Sequence, residues 1–202
     1  MQLPDKSTGN GRHKLVDRAW DLYQTAPEVT RALLANHSLP HDVWEPAAGC
    51  GAISRVLKAA GHNVVSTELI AYPGADADVL AGVDFLNVTQ PPVGMRCIVT
   101  NPPYQIATEF VRHALTLVPD VLVLMRLAFL EGVRRSDLID DKLQSVMVFR
   151  ERLPMMHRWN YEGPRSTSAM AFAWMWFTSA PMGSTILRRI SWKERKQSNE
   201  AI

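Results

Sequence analysis

Four consecutive residues, Asn101-Pro102-Pro103-Tyr104, bring together a side-chain amide, two stiffened backbone positions and an aromatic ring. They follow Met95–Thr100, an apolar run that reads as a buried strand entering a turn. Both prolines fix φ and remove an amide donor, and Pro102 pushes Asn101 away from helical geometry, so carbonyls at this turn can face outward as acceptors. Two acceptors are what a planar NH2 group needs. The Asn101 side-chain oxygen suits one hydrogen and a main-chain carbonyl the other, with the face of Tyr104 against the ring that bears the amino group. Taken alone, the tetrapeptide also suits an ordinary Asn-Pro turn after a strand.

A second group lies upstream. A strand ending at Glu45 leads through Pro46-Ala47-Ala48-Gly49-Cys50-Gly51 into a helix over Ile53–Ala60, closed by Gly61. Gly49 and Gly51 allow positive φ and close backbone approach to a ligand, and Glu45 stands at the strand's end, able to accept from a ligand ammonium. The third glycine and the lysine of dinucleotide and P-loop fingerprints are missing, which argues against phosphate binding. A tight strand-to-helix turn is the structural alternative. Seventeen residues beyond Gly51, Glu68 closes the β-rich run that begins at Asn63, a position from which an acid can hold both hydroxyls of a ribose. Asp84-Phe85 ends a third short run and offers a carboxylate for an adenine amino group and a ring for its face. Four loops in chain order thus make one nucleoside pocket.

In this order, Glu45-Pro46-x-x-Gly49-x-Gly51, the acid Glu68, Asp84-Phe85 and Asn101-Pro102-Pro103-Tyr104 resemble the S-adenosylmethionine-dependent amino methyltransferases, in particular the N6-adenine DNA methyltransferases. Tyr23-Gln24-Thr25-Ala26-Pro27-Glu28-Val29 is similar to that family's N-terminal segment, with Ala26 where the family has proline. The resemblance spans roughly residues 20 to 104. It implies a Rossmann-like class I α/β fold with a seven-stranded, mainly parallel sheet, an antiparallel edge hairpin and helices on both faces. It implies S-adenosylmethionine as cofactor, held by Tyr23, Thr25, Glu45, Pro46, Ala47, Gly49, Gly51, Glu68, Leu69, Asp84, Phe85 and Asn101. Methyl transfer falls to Asn101, Pro102, Pro103 and Tyr104. The implied acceptor is N6 of adenine in DNA. An RNA base amino group, a protein glutamine amide, and a cofactor-binding subunit without chemistry of its own are the alternatives, because the tetrapeptide specifies a planar NH2 better than the molecule that carries it.

Composition agrees with one α/β domain: 202 residues at 47% hydrophobic content suffice for a core, and no apolar run is long enough to span a bilayer. The polar start, Met1–Lys14, lacks a signal core, and two cysteines fit a reducing compartment, so a cytoplasmic location is expected. Cys50, Cys97 and the six histidines show no metal-ligand spacing, so no metal is expected. Charge is uneven. Residues 1 to 100 carry eight Lys and Arg against ten Asp and Glu, and residues 101 to 202 fourteen against ten, so the excess of +4 lies downstream of the tetrapeptide. Arg150, Arg152, Arg158, Trp159 and Arg165, with His157 and Tyr161 between them, have the composition of a loop that meets phosphates and stacks bases, which makes them the candidate substrate contacts. With about one hundred residues after Tyr104, nearly all needed to finish the sheet, target recognition falls to the loop from Leu153 to Ser168 or to a partner. Oligomeric state has no sequence signature.

The elements that must position these residues alternate. Helices are expected over Asp17–Tyr23, Pro27–Asn36, Ile53–Ala60, Ile106–Leu117 and Gly132–Leu143. Strands are expected over Val43–Glu45, Asn63–Glu68, Gly82–Phe85, Cys97–Thr100, Val121–Met125, Ser145–Arg150 and Ala169–Phe177. Such alternation makes a parallel sheet covered on both faces, and the final two strands, with no helix between them, an antiparallel edge. The nine apolar residues Ala169–Phe177 read as a strand buried on both sides. Residues 1–16 are a polar N-terminus, 17–187 the domain, and 188–202 a basic tail.

Overall fold

The structure is a computed structural model that describes residues 24–154 and 167–193. The expected helix Asp17–Tyr23, with Tyr23 itself, lies outside the described residues, as do Arg158, Trp159 and Arg165. One sheet of eight strands organises everything else. Its first half is parallel: β1 (Asp42–Glu45), β2 (Asn63–Glu68), β3 (Val79–Ala81), β4 (Cys97–Thr100) and β5 (Asp120–Arg126). The order across the whole sheet is β3-β2-β1-β4-β5-β7-β6-β8, where β6 is Leu143–Phe149, β7 Phe172–Thr178 and β8 Ile186–Ile190.

Two-residue alternation sorts the strand side chains onto two faces. Ile98, Val121, Val123, Met125, Val146, Met175 and Phe177 point to one core, closed by α3 (Ala107–Leu117) through Phe110, Val111 and Ala114. Cys97, Val99, Leu122, Leu124, Met147 and Trp174 point to the other, closed by α1 (Pro27–Leu34) through Val29 and Leu33 and by α2 (Ala52–Ala59) through Ile53 and Leu57. Each helix buries an i, i+3/i+4 stripe, as an amphipathic helix on a sheet must. Pro27 starts α1, where its missing N–H costs nothing. The helix is pinned to the sheet by Trp174 Nε1, which donates to the Val29 carbonyl at 2.9 Å.

Four expectations need correction. The third strand is Val79–Ala81 and not Gly82–Phe85: Gly82 takes φ +83 and ends it, and the Asp84 carboxylate then caps a 3-10 turn over Phe85–Asn87 by accepting from Leu86 N at 3.2 Å. The helix expected over Gly132–Leu143 shrinks to a 3-10 turn, Val133–Arg135, followed by the four-residue α4 (Ser136–Ile139), because Leu143 already pairs with Phe177. The antiparallel pair β6–β7 exists but is not the edge: β7 inserts between β5 and β6, antiparallel to both. An eighth strand makes that edge. β8 runs parallel to β6 and includes Arg188, Arg189 and Ile190, which the sequence reading assigned to the tail.

This topology sets the working edge of the molecule. β1, β2, β4, β5, β6 and β8 all run the same way, so their carboxyl ends share one side. The sheet order reverses between β1 and β4, and an open α/β sheet has its crevice at such a point.

Candidate active site

The crevice holds a cavity of about 870 Å³, open mouth included, a size that takes a small ligand. The loops after β1, β2 and β4 and the Asp84 turn all contribute to it, and Thr25, from the segment before α1, closes one side. Glu45, Pro46, Ala47, Glu68, Leu69, Asp84, Phe85, Asn101, Pro102, Pro103 and Tyr104 all line it, so the fold brings together most of the residues singled out by sequence. Gly49 and Gly51 do not line it.

The floor is built from two carboxyls that the fold has largely committed. Glu45, 1% exposed, accepts from the backbone N–H of Ser54 at 2.8 Å and from the Ser54 hydroxyl. Ser54 Oγ in turn lies 2.6 Å from Ser66 Oγ, so β1, α2 and β2 meet in one buried polar chain. Ser54 is in the first turn of α2, where free amides and the helix dipole favour an acceptor. Burial nonetheless dominates and pushes the Glu45 carboxyl up to about 8, with Glu68 adding to the rise and the Ser54 bonds opposing it.

Glu68 is held by backbone. Its Oε1 accepts from Leu69 N at 2.7 Å and Ile70 N at 3.1 Å, and its Oε2 from Gly49 N at 2.8 Å. A carboxylate has about four acceptor directions, so one on Oε2 remains for a ligand hydroxyl. Gly49 therefore serves the pocket by aiming Glu68. Burial raises the Glu68 carboxyl, and the three amides pull the other way. Gly51 has a different task from close approach to a ligand: it sits at φ +85, and a Cβ there would come within 2.5 Å of Asp76 Oδ2. Asp76 is occupied by Arg55, whose Nε donates to it at 2.9 Å.

The opposite wall belongs to the tetrapeptide. Asn101 Nδ2 donates to Thr25 Oγ1 at 3.2 Å, which turns the amide oxygen to the other side. The Pro103 carbonyl accepts from Ile106 N at 3.2 Å as the chain tightens into the 3-10 turn Tyr104–Ile106 and then α3. Among the described residues no backbone amide donates to the Pro102 carbonyl. The Arg126 guanidinium, from the carboxyl end of β5, lies over the Tyr104 ring, 4.7 Å from its centroid, and Phe172 packs on the same ring with centroids 6.2 Å apart. Phe85 lines the cavity but keeps its ring in the core, 4.2 Å from Phe110 and 5.2 Å from Trp44 between centroids. Leu69, Ile70 and Leu86 supply the apolar surface left on that side.

Neither a protein-family profile nor a curated protein sequence matches the chain. Solved structures do. A candidate RNA methyltransferase from Pyrococcus horikoshii superposes with a TM-score of 0.55 at 14% identity, covering 86% of this chain and 93% of that one. A candidate class I S-adenosylmethionine-dependent methyltransferase from Listeria monocytogenes gives 0.53 at 11% identity over 82% and 64%. A dimethyladenosine transferase from Plasmodium falciparum gives 0.50 at 12% identity over 78% and 62%. The chain has the class I methyltransferase fold.

Within this methyltransferase fold the cavity has a distinctive charge. Glu45, Glu68 and Asp84 line it, and among the described residues no Lys or Arg does. A ligand bearing phosphates would meet acidic side chains and, among the described residues, no cation to pair with, whereas a nucleoside with a net positive charge would be attracted. The sequence reading missed Ser54, Ser66 and Arg126. The two serines look like helix and strand packing until the topology stacks them, and Arg126 acquires meaning only when β5 pairs with β4. Arg150 and Arg152 are exposed and lie at the end of β6, outside the cavity. No helix among the described residues is long and apolar enough to cross a membrane, and no cluster of potential metal ligands occurs among them.

Proposed function

We propose that this protein is an S-adenosylmethionine-dependent methyltransferase acting on an exocyclic amino nitrogen, N6 of adenine in DNA. The observation that carries this reading is the pairing of a nucleoside-sized cavity, whose charged lining among the described residues is Glu45, Glu68 and Asp84, with Asn101-Pro102-Pro103-Tyr104 on its wall. The residues fit the cofactor. The remaining acceptor direction of Glu68 Oε2 suits a ribose hydroxyl, the Asp84 turn an adenine amino group, Leu69 and Leu86 the ring faces, and Gln24 and Thr25 the methionine end. Bound there, S-adenosylmethionine supplies an electrophilic methyl on a sulfonium sulfur.

The chain's own residues do the rest by positioning and electrostatics. The amine of adenine is a weak nucleophile because its lone pair is delocalised into the ring. Asn101 Oδ1, turned away from Thr25, accepts one N–H and the Pro102 carbonyl the other, which favours a pyramidal nitrogen with its lone pair toward the methyl. Transfer of that methyl group would leave the nitrogen cationic, and one of its protons would pass to solvent. In duplex DNA the base must leave the stack, at a cost of a few kcal/mol. Tyr104 offsets part of that by stacking. The incoming base takes the position of the Arg126 guanidinium over the Tyr104 ring, which leaves Arg126 at the rim, facing the flanking backbone.

An RNA adenine is the second acceptor to test, because two fold neighbours are named for RNA methylation and dimethyladenosine formation. Purified protein with tritium-labelled S-adenosylmethionine and separate pools of DNA, RNA and protein decides between them. Label in DNA recovered as N6-methyladenine supports the reading. Label confined to RNA moves the acceptor, and label confined to protein removes nucleic acid from the account.

A further inference from the structure

A second groove lies between α1 and the β8 side of the sheet, walled by residues 28 to 36 on one side and by Arg150, the end of β8 and the chain leaving it on the other, and the second wall reaches the same edge of the molecule. The groove encloses about 1020 Å³, open mouth included, and its charged lining is Arg31, Arg150, Arg189 and Lys193 against Glu28 alone. All four cations belong to exposed residues, and among the described residues none of them forms an ion pair. Trp192 gives the groove an aromatic side, fixed by Nε1 donating to the Arg152 carbonyl at 3.2 Å. Its charge is thus the reverse of the cavity's.

Two features of the groove point to its ligand. Exposed guanidinium and ammonium groups on an open surface are what a run of phosphates needs, since each contact releases condensed counterions. Position is the other. β6 and β8 end on the side where Asn101 ends β4, three and four places along the sheet from it. At ~4.8 Å per strand the groove lies roughly 14 to 19 Å from the tetrapeptide. That is about four to six nucleotides at 3.4 Å rise. Arg126, at the end of β5, stands between them.

We propose that this groove holds the sugar–phosphate backbone of the DNA strand that flanks the target adenine, on one side only. The inference rests on the nucleic-acid reading above and gives it a direction along the strand. It also assigns Arg31, Arg189, Trp192 and Lys193 to substrate binding, beside Arg150.

The test is fluorescence anisotropy of a labelled DNA duplex titrated with the full chain across a salt series, comparing wild type with the triple variant Arg150→Ala, Arg189→Ala, Lys193→Ala. Calorimetric binding of S-adenosylhomocysteine checks that the variant keeps its fold and cavity. Each lost phosphate contact lowers the slope of log K against log salt by about one. The variant should therefore lose about two to three units of slope and bind at least about tenfold more weakly near 0.1 M salt, with S-adenosylhomocysteine affinity unchanged. A variant with the wild-type slope overturns the groove and leaves the nucleic-acid reading standing. Wild type that binds no DNA even at low salt, while still binding S-adenosylhomocysteine, overturns that reading and the groove with it.

Discussion

The two halves of the sheet handle charge in opposite ways. In the β1–β4 half two carboxyls of the cavity are buried and already bonded: Glu45 to Ser54, and Glu68 to three backbone amides. In the β5–β8 half the cations Arg126, Arg150 and Arg189 are exposed, with no ion pair among the described residues. A preorganised buried group discriminates by shape and desolvation, because any ligand that fails to pair with it leaves it unsatisfied. Exposed charges discriminate little, but act at a distance and respond to salt. One half is suited to a small ligand of fixed geometry, the other to a long polyanion of variable sequence.

The sharpest way to break this contrast is at Glu68. Glu68→Ala removes the acceptor of three amides, Gly49, Leu69 and Ile70, which then lose their partner beside the cavity. Each such loss costs roughly 1 to 3 kcal/mol. Thermal unfolding should show a stability loss of several kcal/mol, and calorimetry an S-adenosylmethionine affinity reduced at least about a hundredfold. A variant with near wild-type affinity would remove Glu68 from the ligand's contacts.

A pH series probes the same half more gently. Glu45 titrates near 8 in the fold against 4.5 when unperturbed, so between those values the folded chain holds a proton that the unfolded chain has released. The folded state binds more protons, and stability must fall as pH rises through this window and level off above it. The full effect is on the order of 5 kcal/mol. Glu45→Gln should flatten that part of the profile in denaturant melts at fixed pH steps. A cationic ligand favours the ionised form, so affinity for S-adenosylmethionine should rise from pH 6 toward 8 with proton release, measurable in buffers of different ionisation enthalpy. A flat affinity profile would separate Glu45 from the ligand.

The smallest effect joins the two halves. Trp174→Phe keeps the aromatic core but removes the bond from Nε1 to Val29 O, and with it the tie that sets α1 and Thr25 beside Asn101. The expected loss is about 1 to 2 kcal/mol in chemical denaturation. Turnover should fall more than S-adenosylmethionine affinity. Equal falls in both would indicate a general loosening.

What the sequence made legible follows the range of the interactions. Glu45, Glu68, Asp84 and Asn101–Tyr104 end strands or begin turns within a few residues of their punctuation, and local chemistry identifies them. The fold class follows from alternating strands and helices in the same way. β8 was hidden because Ile186, Leu187, Arg188 and Arg189 are all exposed, so no buried stripe marks an edge strand that is held by pairing with β6 and by the single buried side chain of Ile190. The insertion of β7 between β5 and β6 is a non-local choice. Ser54 with Ser66, and Arg126 with Tyr104, are contacts between elements, visible only once register is known. Phe85 looked like a ligand platform by its place after Asp84, yet Trp44 and Phe110 claim its ring for the core.

The central claim is that Asn101 activates an amino nitrogen while the carboxylate-lined cavity holds the methyl donor. Nucleoside mass spectrometry of DNA incubated with S-adenosylmethionine and either wild type or Asn101→Ala, alongside calorimetric binding of S-adenosylhomocysteine to both, tests it directly. Wild type should give N6-methyladenine, Asn101→Ala should lose at least about a thousandfold of it, and cofactor-product affinity should stay within about threefold. Retained transfer by Asn101→Ala would mean that Asn101 does not activate the amino nitrogen.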